Sequence, residues 1–353
     1  MLIERFDPRG EASKLRACYD ITKAGWPIDH PDEPTWAVDS FTGKWAEGFD
    51  TAPLQAWLAT DDSGTPVGCY LLRLPDRENL TMARCILAID PARRRAGIGT
   101  ALLAHCGTQA RRAGRFRLVG FVRDDTPGAA FAAAVGARGG IPDLTRVLHV
   151  DAALAARLAS LRADAQSQAA GYSLLSWVGP TPDEHINQVV MVHGAMADAP
   201  RDEGVDPNVW DADRVRRSEQ IMVESGLTHY VVAARHDASG SVAALTEIVT
   251  EADTPDWAFQ QVTAVLPEHR GHRLGLLVKI AMMELLTERE PNVRHIQTGN
   301  AGANDHMIAI NEALGYQVTC VYRDWELDLR AAPQLDLRAA RQLDRPAAVP
   351  AQS

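Results

Sequence analysis

Apolar residues along the chain follow two periodicities. Short strand-like runs occur at Leu2 to Phe6, Cys85 to Pro91, Arg117 to Val122, Tyr172 to Val178, Val262 to Pro267 and His295 to Thr298. Helical spacing appears at Thr100 to Ala113 and Leu276 to Glu288. The order repeats. In each half a strand ending in Pro runs into a Gly/Arg-rich turn, Arg94-Arg95-Ala96-Gly97-Ile98-Gly99 in one and Arg270-Gly271-His272-Arg273-Leu274-Gly275 in the other. Each turn opens an amphipathic helix, which leads to a short strand and a second helix stopping at Gly136 or Gly315, followed by a last strand. Two matched blocks at one offset predict a duplicated unit. Leu154, Leu158 and Leu161 give Asp151 to Ala170 a helical stripe, which predicts a linker. The expected organisation is a first domain over 1–150, a linker helix over 151–170, a second domain over 171–330 and a tail over 331–353. An echo, LDLRAAPQ, LDLRAARQ and LDRPAA, starts at Leu327, and beyond its first copy little apolar periodicity remains to offset the entropy of ordering.

Length and composition agree with two cores. At 353 residues the chain exceeds what one core commonly serves, and 46% hydrophobic with 23% charged residues is a globular profile. The five cysteines (Cys18, Cys69, Cys85, Cys106, Cys320) are scattered, with no C-x-x-C pair, so neither a disulfide framework nor a metal site is expected. No run reaches membrane-spanning length and the N-terminus lacks a signal-peptide core, so a cytoplasmic protein without a membrane partner is expected. A net charge of −10 argues against a nucleic-acid partner. Positive charge is local: Arg93-Arg94-Arg95 with Arg111 and Arg112, and His269-Arg270 with His272-Arg273.

A strand that ends in small residues and opens a helix presents unpaired N–H groups at the positive helix end, which suits phosphate. Gly97 and Gly99 let the backbone approach an anion closely, and the flanking arginines add charge. Neither turn has the Gly-Lys-Ser/Thr of a Walker loop, and the acid required by the dinucleotide fingerprint is missing.

Arg94-x-x-Gly97-x-Gly99 resembles the Q/R-x-x-G-x-G/A signature of the GNAT superfamily of acyl-CoA-dependent N-acyltransferases. The second turn matches at Arg270 and Gly275 and departs at Arg273, a residue accommodated there if its φ stays negative. Thr298 to Tyr316 resembles the strand-to-helix segment where the family sets an Asn on the pantetheine arm, which implicates Asn300 and Asn304. The resemblance implies an α/β (α+β) fold with two GNAT-like domains in tandem, each a mixed, mostly antiparallel, splayed sheet flanked by helices. It also implies acetyl-CoA, or another short acyl-CoA, as cofactor. The pyrophosphate would lie on Arg94, Arg95, Ala96, Gly97, Ile98, Gly99 and Thr100 and on Arg270, Gly271, His272, Arg273, Leu274 and Gly275. The thioester would lie along Leu87, Ala88 and Ile89 and along Ala264, Val265 and Leu266. Tandem architecture of this kind is found in mycothiol synthase-like actinobacterial proteins, and the resemblance leaves a homodimer open.

Direct transfer needs a neutral amine, a base, an oxyanion donor and a proton for the thiolate. Glu247, inside Val242 to Val249, is the candidate base, since a carboxylate there is costly unless paired or functional. The Tyr that many members use as acid is replaced by Ala132 and Asn311, which leaves a different donor, a water, or loss of catalysis in one copy; Tyr316, nearby in sequence, is the candidate side chain. His30, His193 and His229 have no spacing that gives them a partner. The expected activity is acyl transfer to a small-molecule primary amine. Acylation of a protein or peptide amine, and a non-catalytic acyl-CoA-binding module, are the alternatives.

Overall fold

The computed structural model describes residues 1–47 and 52–331; the expected tail falls, from residue 332 on, outside the described residues. In chain order the elements are β1 (Leu2–Phe6), α1 (Ala12–Asp29), α2 (Val38–Glu47), β2 (Leu54–Thr60), β3 (Pro66–Arg73), β4 (Met82–Ile89), α3 (Ile98–Arg112), β5 (Arg117–Arg123), α4 (Pro127–Ala134), β6 (Arg138–Gly139), β7 (Asp143–His149), α5 (Ala152–Gln168), β8 (Tyr172–Val178), α6 (Ile186–Gly194), α7 (Ala212–Glu224), β9 (Leu227–His236), β10 (Val242–Glu251), β11 (Trp257–Val265), α8 (Leu274–Arg289), β12 (His295–Ala301), α9 (Asp305–Leu314) and β13 (Gln317–Asp328). They form two compact units that are discontinuous in sequence. The first comprises Met1–Thr35, Ala52–Gly140 and the chain from Asp324 on; the second comprises the segment around α2 and Ile141–Arg323.

In the first unit β1, β2, β3 and β4 pair antiparallel in succession, and β5 joins β4 in parallel. Side chains alternate between faces of a strand, so β3 serves two layers. Tyr70 and Leu72 pack with Leu102, Cys106 and Ala110 of α3, while Cys69 lies against the Cys18 carbonyl of α1. The sheet is completed by the end of β13, which pairs with β6 at Trp325 and Glu326 and carries Leu327 into the same core, with Leu329 beyond it. Arg84 holds Asp324 and Arg117 holds Glu326.

The second unit repeats the scheme. β8, β9, β10 and β11 pair antiparallel, β12 joins β11 in parallel, and β7 pairs with β12 and with the start of β13. Every residue of β10 is buried because both faces are covered. Ala244 and Ile248 belong to a core with α5 and α8, and Leu245 to a core with α6 and α7. Both expected helix starts move two residues earlier, to Ile98 and Leu274, because the preceding residue in each loop turns into the left-handed region and launches the helix there.

Candidate functional site

Each unit holds its parallel strand pair together for three residues only. Met82, Ala83 and Arg84 pair with Arg117, Leu118 and Val119, after which β4 and β5 part. Trp257, Ala258 and Phe259 pair with His295, Ile296 and Gln297, after which β11 and β12 part. Leu87, Ala88 and Ile89 keep their partners on β3, and Ala264 and Val265 keep theirs on β10, so the other edge of each strand opens onto a cleft. Leu266 donates its N–H to Ala243 and is buried.

Each cleft leads to a Gly/Arg turn with two left-handed residues. They are Arg95 (φ 66°) and Gly97 (φ 78°) in the first, and Gly271 (φ 86°) and Arg273 (φ 53°) in the second. The glycine has changed places between the copies while the backbone path is kept. Arg273 therefore does not keep the negative φ expected of it: the loop must turn left to present the helix start, and the arginine adopts the required conformation. The first bond of α3 runs from Ala101 to Gly97 and that of α8 from Leu277 to Arg273, which leaves the amides of Ile98, Gly99 and Thr100, and of Leu274, Gly275 and Leu276, outside the helix ladder. These two cradles fit a pyrophosphate. The first is half-exposed, whereas Leu274, Gly275 and Leu276 are buried; Ala96, Gly271 and His272 are exposed.

Four arginines in and beside the turns are tied to acids. Arg94 grips Asp29 of α1 with both nitrogens, at 3.0 and 2.6 Å, and its counterpart Arg270 holds Asp198 at 2.7 Å. Arg93 reaches Asp61 at 3.4 Å and Arg273 pairs with Asp164. His272 Nδ1 lies 3.3 Å from the Gln168 carbonyl.

Glu247 sits on the α6 side of β10 at an irregularity. Thr246 pairs with Thr263 and Ile248 with Gln260, so Glu247 alone faces both Gln261 and Val262 of β11. Its Oε1 lies 2.7 Å from His193 Nε2 and its Oε2 3.7 Å from His229 Nε2, and all three side chains are buried. Burial pushes the Glu247 carboxyl up, but the charge and hydrogen bond of His193 and the contact with His229 outweigh it and hold the group well below the usual carboxylate range. Trp210 meets His193 edge-on at 4.5 Å between centroids. The Nδ1 of His193 is enclosed without a hydrogen-bond partner, as are both ring nitrogens of His229. His229 also lines a cavity of about 190 Å³ with Val178, Pro180, Glu219 and Val223. Sequence reasoning missed His193 and His229 as partners, because contacts across a sheet and a helix leave no spacing signal; the one clue was a buried acid in need of one. In the first unit the registers of β3 and β4 put Leu71 at the corresponding place.

The remaining candidates separate. Asn300, on the parted stretch of β12, accepts from Asn311 Nδ2 of α9 at 2.5 Å. Asn304 caps α9 by accepting from the Met307 amide at 3.3 Å. The Tyr316 hydroxyl is enclosed without a partner and pushed up by burial. Lys279 of α8 lies 5.0 Å from the Tyr316 ring centroid, and burial lowers its ammonium to about 7. Among the described residues no helix is long and apolar enough to cross a membrane.

Residues 15–136 match the sequence model of the Acetyltransferase (GNAT) family. The chain is similar to a solved tandem GNAT protein from the clavulanic acid biosynthesis pathway, with 28% identity and a TM-score of 0.76 over 93% of this chain and 98% of that one. It shares its fold with a GCN5-related N-acetyltransferase from Sphaerobacter thermophilus, at 13% identity and a TM-score of 0.64 over 93% and 95% of the two chains. No curated protein gives a significant match by sequence. Residues 15–136 thus carry the Acetyltransferase (GNAT) family pattern, and the chain as a whole has the tandem GNAT fold, which supports an N-acetyltransferase of the acyl-CoA-using type.

Proposed function

We propose that the chain transfers an acetyl group, or another short acyl group, from acyl-CoA to a primary amine of a small molecule, by direct attack in a ternary complex in the cytoplasm. The observation that carries this reading is the Glu247–His193 contact on β10, the strand paired with β11, whose other edge borders the second cleft. Ionised Glu247 accepts a hydrogen bond from Nε2–H of His193, which fixes the tautomer and leaves Nδ1 with a lone pair. The amine nitrogen attacks the thioester carbonyl, the C–S bond breaks, CoA departs as its thiolate, and the proton lost by nitrogen is relayed to the Glu247–His193 pair, from which it can return to the thiolate. Glu247 orients His193 and stabilises its charged form. The Val265 amide, on the edge of β11 away from β10, supplies a donor for the oxyanion, and the helix starts at Ile98 and Leu274 supply donors for pyrophosphate. The net charge of −10 favours a cationic acceptor.

The test is thiol release from acetyl-CoA with a panel of amines, followed by mass spectrometry of the products. Glu247→Gln and His193→Gln should each lower kcat by about 10²–10⁴, and the double variant should be little worse than either, since the two act as one unit. Undiminished turnover in both single variants would remove the dyad from the mechanism.

A further inference from the structure

Arg146 is 2% exposed, and its Nε and Nη1 are enclosed. Its side chain makes neither a hydrogen bond nor an ion pair with any of the described residues. A guanidinium stays charged at every working pH, and an uncompensated charge in the interior is among the costliest features a fold can carry. The position of Arg146 shows what it serves. On β7 it stands directly opposite Thr298 of β12, so the two side chains share a face. Thr298 is the first β12 residue past the last pair with β11, so it borders the second cleft. Asn300 follows on the same face by alternation and is held by Asn311, whose own Oδ1 is enclosed without a partner. Leu148 and Ile296, the neighbouring pair on that face, lie in the core with α8. The face is therefore the one on which the helix after the second Gly/Arg turn packs.

We propose that Arg146 is an anion-recognising residue of the second cleft, receiving a carboxylate of a ligand bound against Thr298, Asn300 and Asn311. The assignment rests on the reading of that cleft as an acyl-transfer site. A carboxylate fits better than a phosphate, because the planar fork matches two coplanar oxygens and a single buried positive charge balances a single negative one. The carboxylate has two sources in such a reaction: the far end of a dicarboxylic acyl thioester, or the carboxyl of an amino-acid-like acceptor.

The full-length protein separates them with two matched pairs. Succinyl-CoA is compared with butyryl-CoA by calorimetry, and lysine with cadaverine by initial rate, in wild type, Arg146→Met and Arg146→Lys. Wild type is expected to prefer the carboxylate-bearing member of one pair by about tenfold or more. Arg146→Met should erase that preference while leaving the uncharged member unchanged, and Arg146→Lys should keep part of it. Without ligand, Arg146→Met should melt no lower than wild type, because it removes an unpaired buried charge and keeps the volume. The proposal is overturned if wild type discriminates in neither pair, if Arg146→Met weakens both members equally, or if both variants melt well below wild type, which would make the arginine structural. Absence of thiol release with every amine, alongside charge-dependent binding of the CoA esters, would instead defeat the transferase reading and leave the anion site standing.

Discussion

A carboxylate inside an apolar strand must be held, and Glu247 is held by His193 at 2.7 Å with His229 at 3.7 Å on its other oxygen. Because its folded carboxyl titrates below the usual range, the pair stabilises the fold in full above the ordinary glutamate value near 4.3, and that contribution is lost as pH falls below it. Glu247→Gln should therefore cost roughly 3–5 kcal/mol in urea unfolding at pH 7, and the gap to wild type should narrow at pH 3. An equal gap at both pH values would show that the carboxylate's charge is not what stabilises. Lys279 behaves in the opposite sense. Its buried ammonium is lowered to about 7, so between pH 7 and its ordinary value near 10.4 the unfolded chain binds more protons than the folded one, and stability rises with pH. Lys279→Met should then stabilise by a few kcal/mol at pH 7, on the order of what so large a shift implies. The gain should fade toward pH 10, and chemical denaturation at the two pH values reads it. A gain that does not change with pH would locate the effect in packing.

At the scale of the element, the loop between splayed strand and helix has one backbone solution and two sequences that reach it. The first spends a glycine on the second left-handed position and the second spends it on the first. Arg273 should be strained by roughly 1 kcal/mol relative to glycine, more than its exposed pair with Asp164 returns. Arg273→Gly should accordingly raise the melting temperature slightly, and a fall would show that the ion pair dominates. Gly99 asks a different question, since a Cβ there would meet Phe131 at an ordinary 3.7 Å. Gly99→Val should thus leave the fold standing while intruding on the amides that face a pyrophosphate, and calorimetry should show weaker acetyl-CoA binding at nearly unchanged melting temperature. Unchanged affinity would take the first loop out of cofactor binding.

These turns were legible in the sequence because glycine and arginine mark them and periodicity changes on either side. The same logic found β1, β4, β5, α3, α5, β8, α8 and β12, with ends off by a few residues. It did not find α1, α6 or α7. α1 carries Pro27 and Gly25, and α6 is a single short apolar stretch, Ile186 to Gly194, that periodicity cannot tell from a strand. Missing α6 meant missing His193, and with it the partner that turns Glu247 from an isolated buried acid into half of a dyad.

The units at the scale of the whole molecule do not follow the halves of the sequence. Duplication predicted contiguous copies, because the repeat is visible along the chain. What cannot be seen there is which sheet a closing strand joins, since β7 (DLTRVLH) and the end of β13 (DWELD) are each short segments of mixed polarity that satisfy either copy. In the structure the first unit is completed by residues from Asp324 on: Leu327 and Leu329 lie in its core, Arg111 donates to the Leu329 carbonyl at 2.9 Å, and Leu329 donates its N–H to Phe116 at 2.8 Å. The second unit takes in Ile141 to His149, Arg146 among them. The first unit is consequently built from both ends of the chain, and its stability should depend on residues far from its own loop. Leu329→Ala, at 1% exposure, should destabilise by about 2–5 kcal/mol through lost burial and the cavity left behind. A chain ended after Arg323 should lose more: with the strand beside β6 gone, Leu102, Cys106, Ala110 and Leu118 face solvent on one flank. Limited proteolysis read by mass spectrometry should then cut first within residues 52–140, while Ile141 to Arg323 stays protected. Cleavage of the shortened chain at the same rate and in the same places as the full chain would show that the first unit closes without its distant strand.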